Sequence, residues 1–161
     1  MDQPNPLLLY QDEPTYGLLL KLIFVLAPAS LLVASLVFWS SGETSGGLAL
    51  LVEAFVVGLI LWVVCPRKYQ VYRDRLQLVL GGPLSLKIRF DNIKTIEVTA
   101  RLSFSMNFAT RLTGNHVLIV KKRGMSVAIT PTASDVFVQQ ANRALGEWAK
   151  RPAAARSLSE I

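Results

Sequence analysis

Two uncharged apolar runs near the N-terminus constrain this chain more than any other feature. No formal charge occurs between Lys21 and Glu43, and after a Ser/Gly turn a second apolar run extends from Gly47 to Val64. At about 1.5 Å per residue, residues 18–39 make a helix of roughly 33 Å, enough to cross a hydrocarbon core about 30 Å thick. The second run gives roughly 27 Å, which a bilayer accommodates by thinning slightly. The expected organisation is an N-terminal segment over 1–17, a two-span hairpin over 18–64, a domain over 66–150 and a flexible tail over 151–161.

Composition fits a mixed chain. Hydrophobic residues make up 52% and mean hydropathy is +0.40, high for a soluble protein and low for one lying wholly in a bilayer. Charge divides the same way. Up to Pro66 only Lys21 stands against Asp2, Asp12, Glu13, Glu43 and Glu53, while the remainder carries 17 − 1 = 16 Lys/Arg and 11 − 5 = 6 Asp/Glu. Residues 40–46 contain no Lys or Arg, whereas Arg67, Lys68, Arg73 and Arg75 follow the second run. The positive-inside rule therefore predicts a multi-pass protein of the cell membrane with both termini cytoplasmic. A cleaved signal peptide fits the first run less well, because the apolar stretch is long and the residues before it are acidic rather than basic. The single cysteine, Cys65, excludes an internal disulfide and any multi-cysteine metal site. It reads as a small apolar side chain at a helix end, with lipidation as the alternative.

After Pro66 ends the second helix, the pattern changes to short strands. Residues 69–73 and 76–80 are rich in aromatic, β-branched and aliphatic residues, with Asp74 as a turn former between them. Gly81-Gly82-Pro83 makes the next reversal, and residues 84–90 alternate apolar and polar, giving one core face and one wet, basic face. Further strands are expected over 93–98, 116–122 and 125–130, in a sheet that is antiparallel throughout. Pro131-Thr132 then opens a helix in which Thr132 is the expected cap, and Phe137, Ala141, Ala144, Leu145 and Trp148 trace one face toward the sheet.

The segments Tyr69-Gln-Val-Tyr-Arg-Asp-Arg-Leu, Phe90-Asp-Asn-Ile-Lys-Thr-Ile-Glu-Val and Val127-Ala-Ile-Thr-Pro-Thr-Ala-Ser-Asp-Val-Phe137 resemble the bacterial pleckstrin-homology family, whose members often follow two membrane spans. The resemblance covers about residues 67–148. It implies a membrane α-helical hairpin followed by an α+β PH-like domain, an antiparallel barrel of six or seven strands capped by a C-terminal helix. The matching motifs build the fold and carry no catalytic residue.

Residue chemistry points away from catalysis. An enzyme needs a nucleophile with its base, paired carboxylates or metal ligands, and His116 is the only histidine. His116 reads as structural, and Gly81-Gly82 as a hairpin turn without the sequence context of a phosphate loop. No cofactor or metal is expected, and the absence of an aromatic and basic stacking face argues against nucleic acid. Arg73-Asp74-Arg75 is itself a tight turn holding a carboxylate, which suits a specific phosphoinositide site poorly. Non-specific attraction is simpler, since each Lys or Arg beside an anionic leaflet contributes about 1 kcal/mol. Arg67, Lys68, Lys121, Lys122 and Arg123 are the candidate lipid contacts. Their other reading is that they set topology and solubility.

Two further features stand out. Leu102, Phe104, Met106 and Phe108 alternate with small polar residues between Arg101 and Arg111, so they form either a core-facing strand or a loop that enters lipid or receives a partner. Glu53 lies inside the second span, where a carboxylate is costly and normally faces protein or water. Folding the hairpin about residues 43 and 44 puts it beside Ser35, which makes a hydrogen bond to Ser35 or to a neighbouring subunit the expected outcome. The sequence thus suggests a non-enzymatic, membrane-anchored scaffold or accessory protein acting through protein contacts, with another membrane-associated protein or itself as partner. A module that senses membrane lipids is the alternative.

Overall fold

A computed structural model describes residues 7–100, 106–108, 110 and 115–151. After the short strand β1 (Leu8–Asp12), the apolar runs form two antiparallel helices, α1 (Leu18–Ser40) and α2 (Thr44–Val64). Both are long and apolar enough to cross a membrane, and most of their surface is uncovered. Small residues set their contact. A Cβ added at Gly46 or Gly47 would run into the rings of Phe38 and Trp39, and the buried Ser35 hydroxyl donates to the Gly47 carbonyl at 2.6 Å.

Beyond Pro66 the chain makes β2 (Lys68–Tyr72), β3 (Arg75–Val79), β4 (Ser85–Arg89), a 3-10 turn (Phe90–Asn92), β5 (Ile93–Thr99), β6 (Met106–Phe108), β7 (His116–Lys121), β8 (Val127–Ile129) and α3 (Ser134–Ala149). Four strands pair in the order β1-β2-β3-β4 and four in the order β5-β7-β8-β6. These are two separate sheets rather than one closed barrel, because the 3-10 turn redirects the chain between β4 and β5. The sheets are not antiparallel throughout either, since β6 runs parallel to β8.

The alternating strands meet as their pattern requires. Tyr69, Val71, Leu76, Leu78 and Ile88 of the first sheet share one buried cluster with Ile93, Ile96, Val117, Ile119, Val127 and Ile129 of the second and with Phe90. Phe137, Ala141 and Ala144 of α3 are buried in the same cluster, with Leu145 and Trp148 packed against it, so the helix face read from the sequence is the one that docks. Phe137 meets Tyr10 and Tyr69 edge-on, with ring centroids 6.2 and 6.3 Å away.

Residues 8–17 belong to this domain rather than to a separate segment. β1 pairs with the edge of β2, and the Thr15 and Thr132 amides donate to the carbonyls of Thr130 and Glu13, each at 2.9 Å. Thr110 completes the seam, its hydroxyl donating to the Thr15 carbonyl at 2.6 Å. The start of α3 depends on this seam too. Thr132 turns its hydroxyl to the Glu13 carbonyl and does not cap the helix, while Asp12 Oδ2 accepts from the Ala133 amide at 2.9 Å. An acceptor more than a hundred residues away thus replaces the local one, as the backbone donors of a helix start require.

Candidate functional site: the basic end of the strands

Strand register divides the cationic residues between two ends of the domain. Lys68 stands opposite Val79, and Val79 opposite Ser85, so this end of the first sheet lies beside α2. Gly81 is buried there, with the Trp62 carbonyl directly over its Cα. At the other end Arg75 pairs with Arg89, and the 3-10 turn passes to Ile93, opposite Lys121. At about 3.3 Å per residue, five-residue strands separate the two ends by roughly 13–16 Å.

Near α2, the Arg67 guanidinium lies over the Trp62 ring at 4.8 Å from its centroid, and the Arg67 amide donates to the Val79 carbonyl at 2.7 Å. Lys68 is exposed beside it. Lys121, Lys122 and Arg123 are at the opposite end, so the five cations proposed from sequence do not share one surface. Instead the latter three gather with Lys87 and Arg89 around an open depression of about 600 Å³, which Asp91 and Asn92 also line. Lys87 and Arg89 were legible only as the wet positions of an alternating strand. Their meeting with residues some thirty positions later needs the two-sheet fold.

This depression is held by fixed backbone. The Lys122 amide donates to the Asn92 carbonyl at 2.8 Å, the Arg123 amide to Asn92 Oδ1 at 3.0 Å, and Asn92 Nδ2 to the Arg123 carbonyl at 3.2 Å. Lys122 Nζ donates to the Asp91 carbonyl at 2.9 Å, and Arg89 Nε lies 3.5 Å from Asp91 Oδ1. Five cations around one carboxylate leave a net charge of +4 on a shaped, solvent-open surface. Such an arrangement attracts and orients anions.

The other sequence candidates are placed as follows. Leu102 and Phe104 lie outside the described residues. Met106 is in β6, and Phe108 is half-buried and packs against the core, its carbonyl accepting from the Tyr69 hydroxyl at 3.4 Å. Burial pushes the Tyr69 hydroxyl up to about 12. Glu53 and Ser35 do not pair: Ser35 is committed to the Gly47 carbonyl, and Glu53 is exposed on the outside of α2. His116 is buried at the start of β7. Cys65 lies 2.9 Å from the Tyr16 hydroxyl, which also donates to the Pro66 carbonyl and so ties the entry of α1 to the exit of α2. Burial foremost, and then the contact with Cys65, raises the Tyr16 hydroxyl well above the ordinary tyrosine range. Sequence reading missed this tie, since neither residue carries a motif.

No family model, curated protein or solved structure matches the chain.

Proposed function

We propose that this chain is a non-enzymatic scaffold or accessory protein, held in the cell membrane by α1 and α2 with both termini cytoplasmic, and that its basic depression receives an acidic protein surface. The observation that carries this reading is the position of Arg89, Lys121, Lys122 and Arg123 at the end of the strands remote from α2, with Lys87 joining them from the middle of β4. Attraction to an anionic leaflet fades within a Debye length, about 8 Å at physiological salt, and the far rim of the depression, at Arg89 and Lys121, stands roughly 13–16 Å beyond Arg67. Arg67 and Lys68 are left to hold the α2 exit at the membrane surface. Strands followed by one docked C-terminal helix support kinship with pleckstrin-homology-like domains, used here as a protein-contact platform.

Hydrogen exchange on the full chain in nanodiscs tests the reading. Adding a polyglutamate peptide at low salt is expected to protect residues 87–92 and 119–124, whereas replacing phosphatidylcholine by phosphatidylglycerol leaves them unchanged. Protection by the anionic lipid and none by the peptide would give the site to lipid sensing instead.

A further inference from the structure

The outward position of Glu53 has a geometric counterpart on α1. Among the described residues Glu53 makes no hydrogen bond or ion pair, and it lies close to the middle of α2. Ser35 with Gly47, Phe38 with Gly46 and Trp39 with Gly47 are level with one another across the hairpin. Their numbers add to between 82 and 86, so Glu53 is level with residues 29–33 of α1. Ser30 lies within that range. It is exposed, and its hydroxyl makes only a local bond to the Ala27 carbonyl at 2.9 Å.

Both residues also occupy the same side of the hairpin. The covered stripe of α1 runs through Phe24, Leu31 and Ser35, and that of α2 through Gly47, Ala54 and Leu61. Ser30 precedes Leu31 and Glu53 precedes Ala54, so each is turned about 100° from its contact line in the same sense. Two antiparallel helices are related by a two-fold axis normal to their common plane, and equal rotations in the same sense bring residues to the same side of that plane. On that side α2 also presents the small Ala49, together with Val56 and Ile60, whereas its opposite side carries the bulkier Leu48, Phe55 and Trp62.

We propose that two copies of this chain pair through this side of their hairpins, each Ser30 meeting the other copy's Glu53. The proposal rests on the two-span reading given above. A two-fold axis along the membrane normal sets α1 of one copy against α2 of the other and keeps depth unchanged. One rotation therefore makes two identical Ser30–Glu53 contacts, as an isologous interface requires. Ser30 donates to the carboxylate, or accepts from the carboxylic acid, so either protonation form has a partner. A carboxyl group facing hydrocarbon is thereby given a protein neighbour, and the small Ser30 and Ala49 allow a close backbone approach, on which helix association in lipid depends.

Mixed single-cysteine chains test the face without altering either polar residue. In a Cys65→Ser background and with an added thiol oxidant, Ile23→Cys in one tagged copy is expected to form a disulfide with Ile60→Cys in another, since both lie on the proposed side at matching depth. Val25→Cys with Leu59→Cys, at matching depth on the opposite side, is expected not to. In liposomes, single-molecule photobleaching should show association of the full chain falling about tenfold or more for Glu53→Leu. Glu53→Gln, which keeps a donor and an acceptor, should retain it, and Ser30→Ala added to Glu53→Leu should cause no further loss. Cross-linking on the opposite side, or a bilayer-embedded chain that stays monomeric, would overturn the pairing alone. Extraction of the chain from membranes by alkaline carbonate would overturn the two-span reading and the pairing with it.

Discussion

Replacing Gly81 by alanine should separate the domain from the end of α2. A Cβ built at Gly81 falls 2.7 Å from the Trp62 carbonyl carbon and 3.0 Å from Val63 Cα, with the carbonyl oxygen closer still. Carbon atoms rest at about 3.5–4.0 Å, so the turn and the helix must part by roughly 1 Å. Overpacking ordinarily costs about 1–3 kcal/mol when side chains can rotate aside. Here the obstructing atoms are helix backbone, and the expected loss is at the upper end, about 3 kcal/mol. For a chain of 161 residues that corresponds to a fall in Tm of about 6–12 °C. Gly146 supplies the control, since its added Cβ meets nothing within 4 Å; Gly146→Ala in α3 should stabilise by about 0.5–1 kcal/mol. Thermal unfolding of the detergent-purified full chain, followed by tryptophan fluorescence because Trp62 lies at the contact, reads both variants. A Gly81→Ala protein melting within about 2 °C of the parent would refute the claim that the β3–β4 turn rests on the last turn of α2.

Other perturbations have equally definite outcomes. Phe137 is 1% exposed between Tyr10 and Tyr69, so Phe137→Ala should cost about 3–5 kcal/mol in chemical unfolding of the full chain; a loss under about 1 kcal/mol would mean that α3 is not docked. Asp12→Ala removes the acceptor for the Ala133 amide and should cost about 1 kcal/mol, with faster exchange in the first turn of α3 as the specific sign. Tyr69 keeps its proton in the folded chain up to about pH 12, while the unfolded chain loses it near 10.0. Its contribution is therefore intact below pH 10 and lost as pH rises toward 12, about 2–3 kcal/mol in all. Tyr69→Phe should flatten this alkaline fall without abolishing it, because Tyr10 and Tyr16 are raised in the same direction.

The hairpin and the docking face of α3 could be read from sequence because each is a local pattern: length and lack of charge for the first, a 3–4 residue spacing for the second. β1 was not legible. Leu7-Leu8-Leu9-Tyr10 shows no clean alternation, and its partner β2 lies beyond the whole hairpin. The parallel β6–β8 pairing and the capping of α3 by Asp12 are likewise contacts between distant segments. The basic depression was half legible. Lys121-Lys122-Arg123 is a visible run, whereas Lys87 and Arg89 join it only because the 3-10 turn at Phe90–Asn92 sets the second sheet against the first. Glu53 is visible in the sequence as an anomaly, but its level in the hairpin is not: the turn centres near residue 42, and of its two expected partners Ser35 is taken by a backbone carbonyl.

The most direct test of the central claim places a photo-activated cross-linking residue at Lys87, Arg123 or Lys68 of the full chain in intact cells. Lys87 and Arg123 should give discrete protein adducts that disappear when Lys121 and Lys122 are changed to glutamate, while Lys68, beside α2, gives none that respond to that change. Adducts to lipid alone from Lys87 and Arg123, or protein adducts indifferent to the charge reversal, would contradict the account.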